Sequence, residues 1–272
     1  MKPTLSTADG LNLRVREWPR ADARGTVLIV HGLGEHIGRY AHVATQINHW
    51  GWSVVGFDQR GHGTSEGARG ALAQSDDLLR DLALVIDAVR KQNAGPLVLL
   101  GHSMGGLVAA RFCAERVRSV DALVLSSPAL DAGMNAFQKL LLAVLGPLAP
   151  NLAVNNGLKS AWISRDPAVV AAYESDPLVH DRVTPRLVRF IVDSGELVRS
   201  RAAQWAVPTL LLYAGSDRCV APRGSAALAA AAPKNVLTAR EFAPLYHEIF
   251  NEPEQREVFA VLGDWLSSAR GS

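Results

Sequence analysis

A serine lies at the centre of the pentapeptide Gly101–Gly105, which has the pattern Gly-x-Ser-x-Gly with Ser103 in the middle. The apolar run Leu97–Leu100 precedes it, and helix-compatible residues follow from Leu107 to Glu115. A strand, a sharp turn and a helix in this order hold a serine hydroxyl above the edge of a sheet. The glycines are needed because the turn strains the backbone and leaves no room for side chains. The pattern predicts Ser103 as a nucleophile in acyl transfer.

A second pentapeptide, Gly63–Gly67, places Ser65 at the same spacing. Its context differs, because the preceding residues Asp58–His62 are polar and contain a glycine, which is not typical of a buried strand. The following residues, Ala68–Gly70, begin no helix. We therefore interpret Ser65 as part of a structured loop.

A serine hydroxyl needs a base to take its proton and an acid to orient that base. In doubly wound hydrolases the acid and the histidine follow the serine along the chain. Two histidines follow Ser103, namely His180 and His247. We favour His247 as the base, because it comes after the strand-like segment 235–242 and before an expected C-terminal helix over 254–266.

Two aspartates are candidates for the acid. Asp217 comes directly after a buried strand, and Gly215 permits the tight turn that would direct its carboxylate toward the histidine. Asp131 is the alternative, since it follows the strand that ends near Leu125. We favour Asp217.

The oxyanion that forms during acyl transfer needs backbone N–H donors. One is expected from Met104, the residue after the nucleophile. The other is expected from the loop His31–Gly34 after the first buried strand, and we assign it to Leu33. Glycines in this loop let the backbone approach a substrate closely.

Neither a cofactor nor a metal ion is expected. The glycines of Gly32–Gly38 resemble a dinucleotide fingerprint, but the spacing is one residue too long and Glu35 would face the pyrophosphate. The spacing of the histidines fits no common zinc pattern, so we expect them to form hydrogen bonds within loops. These histidines are His31, His36, His42, His49 and His62.

Apolar segments alternate with helical patterns, which predicts an α/β fold with a mostly parallel sheet covered by helices on both faces. Residues 11–16 alternate between apolar and polar types, as in an antiparallel strand with one wet face. Leu78–Val89 has the spacing of an amphipathic helix. Continuous apolar runs predict buried strands over 26–30, 53–57, 97–100, 122–125 and 209–213.

The segment 129–205 interrupts this alternation, because it contains no buried strand. It contains helix-like pieces over 137–145, 167–173 and 185–198, which predict a helical cap inserted into a hydrolase core formed by 1–128 and 206–272. Its first piece is apolar on most faces. Two roles stay open for the apolar side chains of this region, namely lining an acyl-chain tunnel or docking the cap on the core. The side chains are those of Met134, Phe137, Leu140, Leu141, Leu142, Val144, Leu145 and Leu148, with Lys139 as the charged exception.

The composition is that of an ordinary globular protein: 272 residues, 48% hydrophobic, with a net charge of +2. No basic stripe interleaved with aromatic residues is present, which disfavours nucleic acid as a partner. Cys113 and Cys219 are too few for a disulfide framework, and we expect buried free thiols. The N-terminus has no apolar leader and no stretch reaches transmembrane length, so we expect a cytoplasmic protein that contacts membranes or micelles transiently through the cap.

His31–Tyr40 resembles the oxyanion loop of the monoacylglycerol lipases and of the lysophospholipase-like α/β-hydrolases close to them. Further segments follow in the order of that family: 58–67, 101–106, 126–129, 173–178, 215–217 and 246–248. The resemblance implies a triad of Ser103, Asp217 and His247, with an oxyanion hole from the N–H groups of Leu33 and Met104. It also implies that Glu35, Arg39 and Tyr173 form a polar subsite for a glycerol-like alcohol. Pro244 departs from the family pattern, in which glycine is frequent at this position.

The resemblance implies a serine esterase that hydrolyses monoacylglycerols, small lipid esters, through an acyl-enzyme and without a cofactor. Alternatives on the same scaffold are a lysophospholipase, a thioesterase and a general carboxylesterase. A protein of a different class, a ligand-binding homologue with slow turnover, is a further alternative.

Overall fold

A mostly parallel sheet forms the centre of the protein. The computed structural model describes residues 1–93 and 95–268. The strands in this part are β1 (Thr4–Ser6), β2 (Asn12–Trp18), β3 (Thr26–Val30), β4 (Ser53–Phe57), β5 (Leu97–His102), β6 (Ala122–Ser126), β7 (Val154–Asn155), β8 (Arg182–Val183), β9 (Thr209–Ala214) and β10 (Leu237–Phe242). The large sheet has the order β1-β2-β4-β3-β5-β6-β9-β10. Only β1–β2 and β2–β4 pair antiparallel within this sheet of the described residues, and the other pairs are parallel.

Helices connect the strands and cover both faces of the sheet. They are α1 (Ala41–His49), α2 (Asp77–Gln92), α3 (Ser103–Ala114), α4 (Ala136–Leu145), α5 (Pro167–Ser175), α6 (Pro185–Ser200), α7 (Pro222–Ala231) and α8 (Gln255–Ser268). Short 3-10 turns lie at Ile37–Tyr40, Ser160–Trp162, Ala202–Gln204 and Ile249–Asn251.

The core has two layers because successive side chains of a strand point to opposite faces. In β3, Leu28 and Val30 pack with α2, α3, α6 and α7 on one face. Val27 and Ile29 pack with α1 and α8 on the other face. All four side chains are fully buried, which explains why β3 appears in the sequence as a continuous apolar run.

The parallel register places the candidate site residues at one edge of the sheet. Val30 pairs with Gly101, so β3 and β5 end side by side, and β9 pairs with both β6 and β10. His31, Ser103 and Asp217 follow β3, β5 and β9, and His247 follows β10. Ligands bind open α/β sheets outside the carboxyl ends of the strands, and this is the edge where these residues meet.

Among the strands and α-helices, β1, β7, β8, α1 and α7 were not predicted, and β7 and β8 have only two residues each. β1 has three residues and no apolar alternation. The buried side chains of α1 are limited to Val43, Ala44 and Ile47, among polar residues, and α7 is rich in alanine. Both helices form because they cover the sheet, since their intrinsic apolar patterns are weak.

The segment 129–205, here called the inserted segment, contains α4, α5, α6 and the antiparallel pair β7–β8. Its α6 packs against α3. It also lies close to the loop after β6, where a Cβ on Gly195 would lie 2.4 Å from the carbonyl oxygen of Leu130. Near the other end of the segment, Leu140, Val144 and Leu148 are 60, 56 and 78% exposed. These three side chains therefore neither dock on the core nor fill an enclosed tunnel.

The side chains of Phe137, Lys139, Leu141 and Leu145 lie outside the described part, so the prediction for them is not addressed. Among the helices over residues 1–93 and 95–268, none combines the length and the apolar character needed to cross a membrane.

A buried ion cluster supports the loop after β4. The guanidinium of Arg60 lies 2.8 Å from a carboxylate oxygen of Asp77 and 2.6 Å from one of Asp81. It also binds Asp9, at 3.0 Å. Arg60, Asp77 and Asp81 are each at most 4% exposed, so the carboxylates depend on Arg60 for charge compensation.

We expect Arg60→Gln to lower the free energy of unfolding by about 3–5 kcal/mol, because two buried carboxylates lose their counter-ion. Arg80→Gln is the matched control. Its pair with Asp76 is 63 and 42% exposed, and its loss should cost at most about 1 kcal/mol. Urea unfolding followed by circular dichroism measures both variants. Equal stability of the two would contradict the assignment.

Candidate active site

Ser103 occupies the turn between β5 and α3 with a φ of 53°, in the left-handed region that non-glycine residues rarely adopt. The neighbouring glycines are required by contact. A Cβ on Gly101 would lie 2.5 Å from the carbonyl oxygen of Gly105, and one on Gly105 would lie 2.2 Å from that of Val30. The predicted strained turn is thus observed, and it brings the first turn of α3 against the end of β3.

His247 and Asp217 meet Ser103 above the sheet edge. His247 Nε2 lies 2.8 Å from Ser103 Oγ, and His247 Nδ1 lies 2.7 Å from Asp217 Oδ2. The other oxygen of Asp217 accepts hydrogen bonds from the backbone N–H groups of Cys219 and Val220. This arrangement fixes a tautomer in which Nδ1–H donates to Asp217, so Nε2 is free to accept the hydroxyl proton of Ser103.

The charge surroundings of His247 favour its protonated form. Burial by itself would lower the pKa of His247, but the Asp217 carboxylate outweighs this, with further contributions from Glu248 and Glu35, and the pKa lies above 6.5. A second ring, that of His102, lies 4.8 Å from the His247 ring. Burial, followed by the proximity of His247, lowers the pKa of His102 to about 4, so this neighbour is neutral.

The loop after β3 runs directly over Ser103. A Cβ on Gly32 would lie 3.1 Å from the Cβ of Ser103 and 2.8 Å from Glu35 Oε1, so a side chain there would displace the loop. Within the described residues, the backbone N–H groups of Leu33 and Met104 donate to no protein acceptor. They follow the turn residues Gly32 and Ser103, and both are available to an oxyanion.

A buried ion network connects this loop to the histidine loop. Arg39 Nη1 lies 2.6 Å from Glu35 Oε2. The same Nη1 lies 2.7 Å from Glu248 Oε1, and Arg39 Nη2 lies 2.7 Å from Glu248 Oε2. Glu35 Oε1 also accepts hydrogen bonds from Tyr40 and from the backbone N–H of Gly32. Burial acts to raise the pKa of Glu35, but Arg39 and other neighbours lower it to about 2.

The three residues expected to form a polar subsite differ in their access to substrate. Glu35 and Tyr173 line the cavity above Ser103, whereas Arg39 does not. Arg39 lies behind them, with its guanidinium carbon 4.8 Å from the centre of the Tyr173 ring. The structure thus places Arg39 between the two carboxylates and the tyrosine ring and away from the cavity surface.

The inserted segment touches the same loop. The backbone N–H of His180 donates to the carbonyl oxygen of Gly34 at 2.8 Å. Gly34 has a φ of 78°, and a Cβ there would lie 2.3 Å from the carbonyl oxygen of His180. His36 Nε2 lies 2.8 Å from Asp176 Oδ2. No sequence signal identified these contacts, because the partners are about 140 residues apart in the chain.

A cavity of about 460 Å³ opens onto Ser103 between the sheet edge and the inserted segment. Its apolar lining includes Leu33, Leu158, Ile163 and Val179. Polar and charged side chains from the inserted segment complete it, among them Asn155, Lys159, Glu174 and Asp181. The exposed side chains of Leu140, Val144 and Leu148 do not contribute to this lining.

The alternative candidates occupy other positions. The hydroxyl of Ser65 donates to the carbonyl oxygen of Asp58 and accepts from the backbone N–H of Arg14, as expected of a loop serine. Asp131 pairs with Arg223 at 2.7 Å. The ring of His180 lines the cavity, but its Nδ1 accepts the backbone N–H of Arg182.

Pro244 lies in a turn in which the backbone N–H of Leu245 donates to the carbonyl oxygen of Phe242 at 3.1 Å. With this turn in place, His247 reaches both Asp217 and Ser103. The expected hydrogen bonds within loops are present for two histidines, since His31 binds Gly32 and Gln59 and His62 binds Arg60. His42 lies instead on α1 and contacts the carbonyl oxygen of Phe250.

Cys113 is a buried free thiol, and burial raises its pKa to about 12. Cys219 is also free, but it is only half-buried and lines the cavity, so the expectation of burial was wrong for it. Donor atoms of Asp217, Cys219 and His247 lie within 4.8 Å of one another. The mutual hydrogen bond of Asp217 and His247 and the raised pKa of the Cys219 thiol disfavour metal binding by this group.

The sheet, the strained serine turn and the loop order define a hydrolase of the α/β-hydrolase class. The chain belongs to the family Hydrolase_4, described as serine aminopeptidase, S33, whose model matches residues 21–254. The predicted fold class, enzyme class and family resemblance are confirmed.

The relatives of this chain include a monoacylglycerol lipase and a phospholipase. A monoacylglycerol lipase of Mycolicibacterium smegmatis is 37% identical over 92% of this chain and 90% of its own. The phospholipase YtpA of Bacillus subtilis is 32% identical over 89% of this chain and 95% of its own. The crystal structure of Paleococcus ferrophilus monoacylglycerol lipase superposes with a TM-score of 0.87 and 35% identity, covering 95% of this chain and 99% of that one.

We expect Glu248→Gln to lower the pKa of His247, because the substitution removes a carboxylate that stabilises the imidazolium form. The titration of the His247 ring, followed by NMR, measures this. Glu257→Gln, at an exposed position on α8, is the control and should leave the pKa of His247 unchanged. An unchanged or raised pKa in Glu248→Gln would contradict the electrostatic account.

Proposed function

We propose that this enzyme hydrolyses monoacylglycerols to a fatty acid and glycerol through an acyl-enzyme. The observation that carries the proposal is the continuous hydrogen-bonded series of Ser103, His247 and Asp217, with distances of 2.8 and 2.7 Å. The names of the relatives from Mycolicibacterium smegmatis and Paleococcus ferrophilus support this choice of substrate.

In the acylation step, Ser103 Oγ attacks the ester carbonyl carbon and its proton moves to His247 Nε2. Asp217 stabilises the resulting imidazolium through Nδ1–H. The N–H groups of Leu33 and Met104 donate to the oxyanion. The imidazolium then gives its proton to the glycerol oxygen as the carbon–oxygen bond breaks, and glycerol leaves.

Deacylation repeats these steps with water as the nucleophile. His247 takes a proton from the water molecule, which attacks the acyl carbon, and the proton returns to Ser103 Oγ as the fatty acid leaves. The neutral state of His102 matters here, because a second positive charge at 4.8 Å would oppose the protonation of His247.

We assign the polar subsite for glycerol to Glu35 and Tyr173, which line the cavity. Arg39 serves as a positioning residue in this proposal, since its charge is satisfied by Glu35 and Glu248. The carboxylate of Glu248 also lines the cavity and adds a further acceptor for a hydroxyl group.

We propose that residues 129–205 act as a cap on a core of 1–128 and 206–272. In this proposal the apolar patch formed by Leu140, Val144 and Leu148 contacts a membrane or micelle surface and brings the cavity near lipid. Support comes from the exposure of these side chains, which recur at every fourth residue, since exposed apolar patches mark interaction sites.

Replacing Ser103 by Ala tests the assignment of the nucleophile. We expect the hydrolysis of 1-monobutyrin and of p-nitrophenyl butyrate to fall by at least about a thousandfold, because no other group attacks the carbonyl carbon. Ser65→Ala, in the second pentapeptide, is the matched control and should retain activity. Multiple turnover by Ser103→Ala would overturn the proposal. Stoichiometric labelling of Ser103 in the parent protein by a fluorophosphonate, without turnover of the esters, would favour a binding role.

A double substitution, Leu140→Ser with Leu148→Ser, tests the membrane contact. We expect at least about a tenfold weaker binding to phosphatidylcholine vesicles in a sedimentation assay, since each leucine contributes about 1.5–3 kcal/mol when fully buried in an apolar phase. Ala143→Ser, at an exposed position on the helix that carries Leu140, is the control. Unchanged binding of the double variant would reject the contact.

A further inference from the structure

The cavity above Ser103 carries an excess of negative charge. Five carboxylate side chains line it, and the lining includes a single side chain of Lys or Arg, that of Lys159, among the described residues. The carboxylates are those of Glu35, Glu174, Asp176, Asp181 and Glu248. Three of them, Glu174, Asp176 and Asp181, come from the inserted segment.

Countercharges behind the cavity surface compensate only part of this charge. Arg39 is shared between Glu35 and Glu248, and Arg182 lies 3.2 Å from Asp181. Glu174 accepts a hydrogen bond from the hydroxyl of Ser160, which brings no charge, and Asp176 has the ring of His36 as its partner at 2.8 Å. With Lys159 added, three Lys and Arg side chains stand against five carboxylates, and a protonated His36 would bring the cations to four.

The histidines of the lining do not change this balance. Burial lowers the pKa of His102 and of His180 to about 4 each, so both rings are neutral near pH 7. The pKa of His247 is raised, but its charge is shared with Asp217. A substrate that enters the cavity therefore meets a net negative field.

Such a field discriminates between alcohol groups by their charge. A phosphate-bearing alcohol has to lose hydration and approach carboxylates that outnumber their Lys and Arg partners, and Coulomb repulsion there is stronger than in water. Glycerol is neutral, and its hydroxyl groups donate hydrogen bonds to the same carboxylates. A quaternary ammonium group is attracted, as is typical of clefts lined by charges of one sign.

We propose that the carboxylates of the inserted segment make the cavity a charge filter, which accepts esters of neutral or cationic alcohols and rejects esters of alcohols that carry phosphate. This rests on the proposed function of the site. It assigns a role to Glu174, Asp176 and Asp181, and it places the enzyme with esterases for neutral lipids and apart from lysophospholipases that act on anionic lipids and from acyl-CoA thioesterases.

Three esters with the same acyl chain test the filter: monobutyrin (neutral), butyrylcholine (cationic) and 1-butyrylglycerol 3-phosphate (anionic). We expect kcat/KM for monobutyrin and for butyrylcholine to exceed that for the phosphate ester at least tenfold at low ionic strength. Raising the salt concentration to about 0.3 M should narrow the difference, because salt screens charges in an open cavity. Glu174→Gln should narrow it as well, whereas Glu257→Gln, which removes the same charge far from the cavity, should not.

Hydrolysis of the phosphate ester at a rate equal to or above that of the other two esters would overturn the filter. The positive charge of Lys159 would then outweigh the carboxylates in determining the preference. A preference that neither salt nor Glu174→Gln reduces would also overturn it. In both cases hydrolysis of monobutyrin would leave the proposed function standing. Failure of the folded protein to hydrolyse any of the three esters would instead reject the proposed function, and the filter with it.

Discussion

The close approach of backbone to backbone beneath Ser103 is the constraint on which the site depends. At a φ of 53°, the turn after β5 directs α3 back against the end of β3, where Gly105 leaves no room for a Cβ between itself and the carbonyl oxygens of Val30 and His31. This contact fixes the start of the loop that carries Leu33, and Gly32 allows that loop to pass over Ser103. The nucleophile and both candidate oxyanion donors are thus positioned by the same few residues. A side chain at Gly105 would therefore disturb all of them together.

A second constraint is electrostatic and acts between loops from distant strands. Glu35 follows β3 and Glu248 follows β10, and Arg39 binds both carboxylates in a buried environment. Burying two carboxylates is unfavourable unless a cation compensates them, so neither loop can move far without leaving an uncompensated charge. Because Glu248 is adjacent to His247, the ion network relates the position of the histidine to that of the loop above Ser103. The resemblance to the family suggested Glu35 and Arg39 as substrate-binding residues, and the structure shows that they bind each other.

The sequence allowed the prediction of those parts that depend on local pattern. The buried strands are continuous apolar runs, and the turn at Ser103 has its glycines within two residues, so both are visible in short windows. β1 was missed because it is short and has no apolar alternation, and α1 and α7 were missed because they form against the sheet they cover and their own apolar patterns are weak. The pairing of Arg39 with Glu248 joins residues 209 positions apart, and that of His36 with Asp176 joins residues 140 apart. Such pairs arise from the tertiary fold, and no spacing in the sequence encodes them.

The inserted segment has two parts with different attachments to the core. Its later part is bound at several points near the site: Ile163 accepts the backbone N–H of Glu248, Thr184 binds Gly70, and His180 binds Gly34. Its earlier part, which carries α4 and the exposed apolar patch, is joined to the core ahead of α4, where Asp131 pairs with Arg223, whereas the bond from Arg189 to the carbonyl oxygen of Leu142 at 3.3 Å joins α4 to α6 of the same segment. A displacement of α4 therefore need not break the bonds that hold the loop above Ser103. The segment can thus present apolar side chains to a lipid surface while its anchored part keeps the charged lining of the cavity in place.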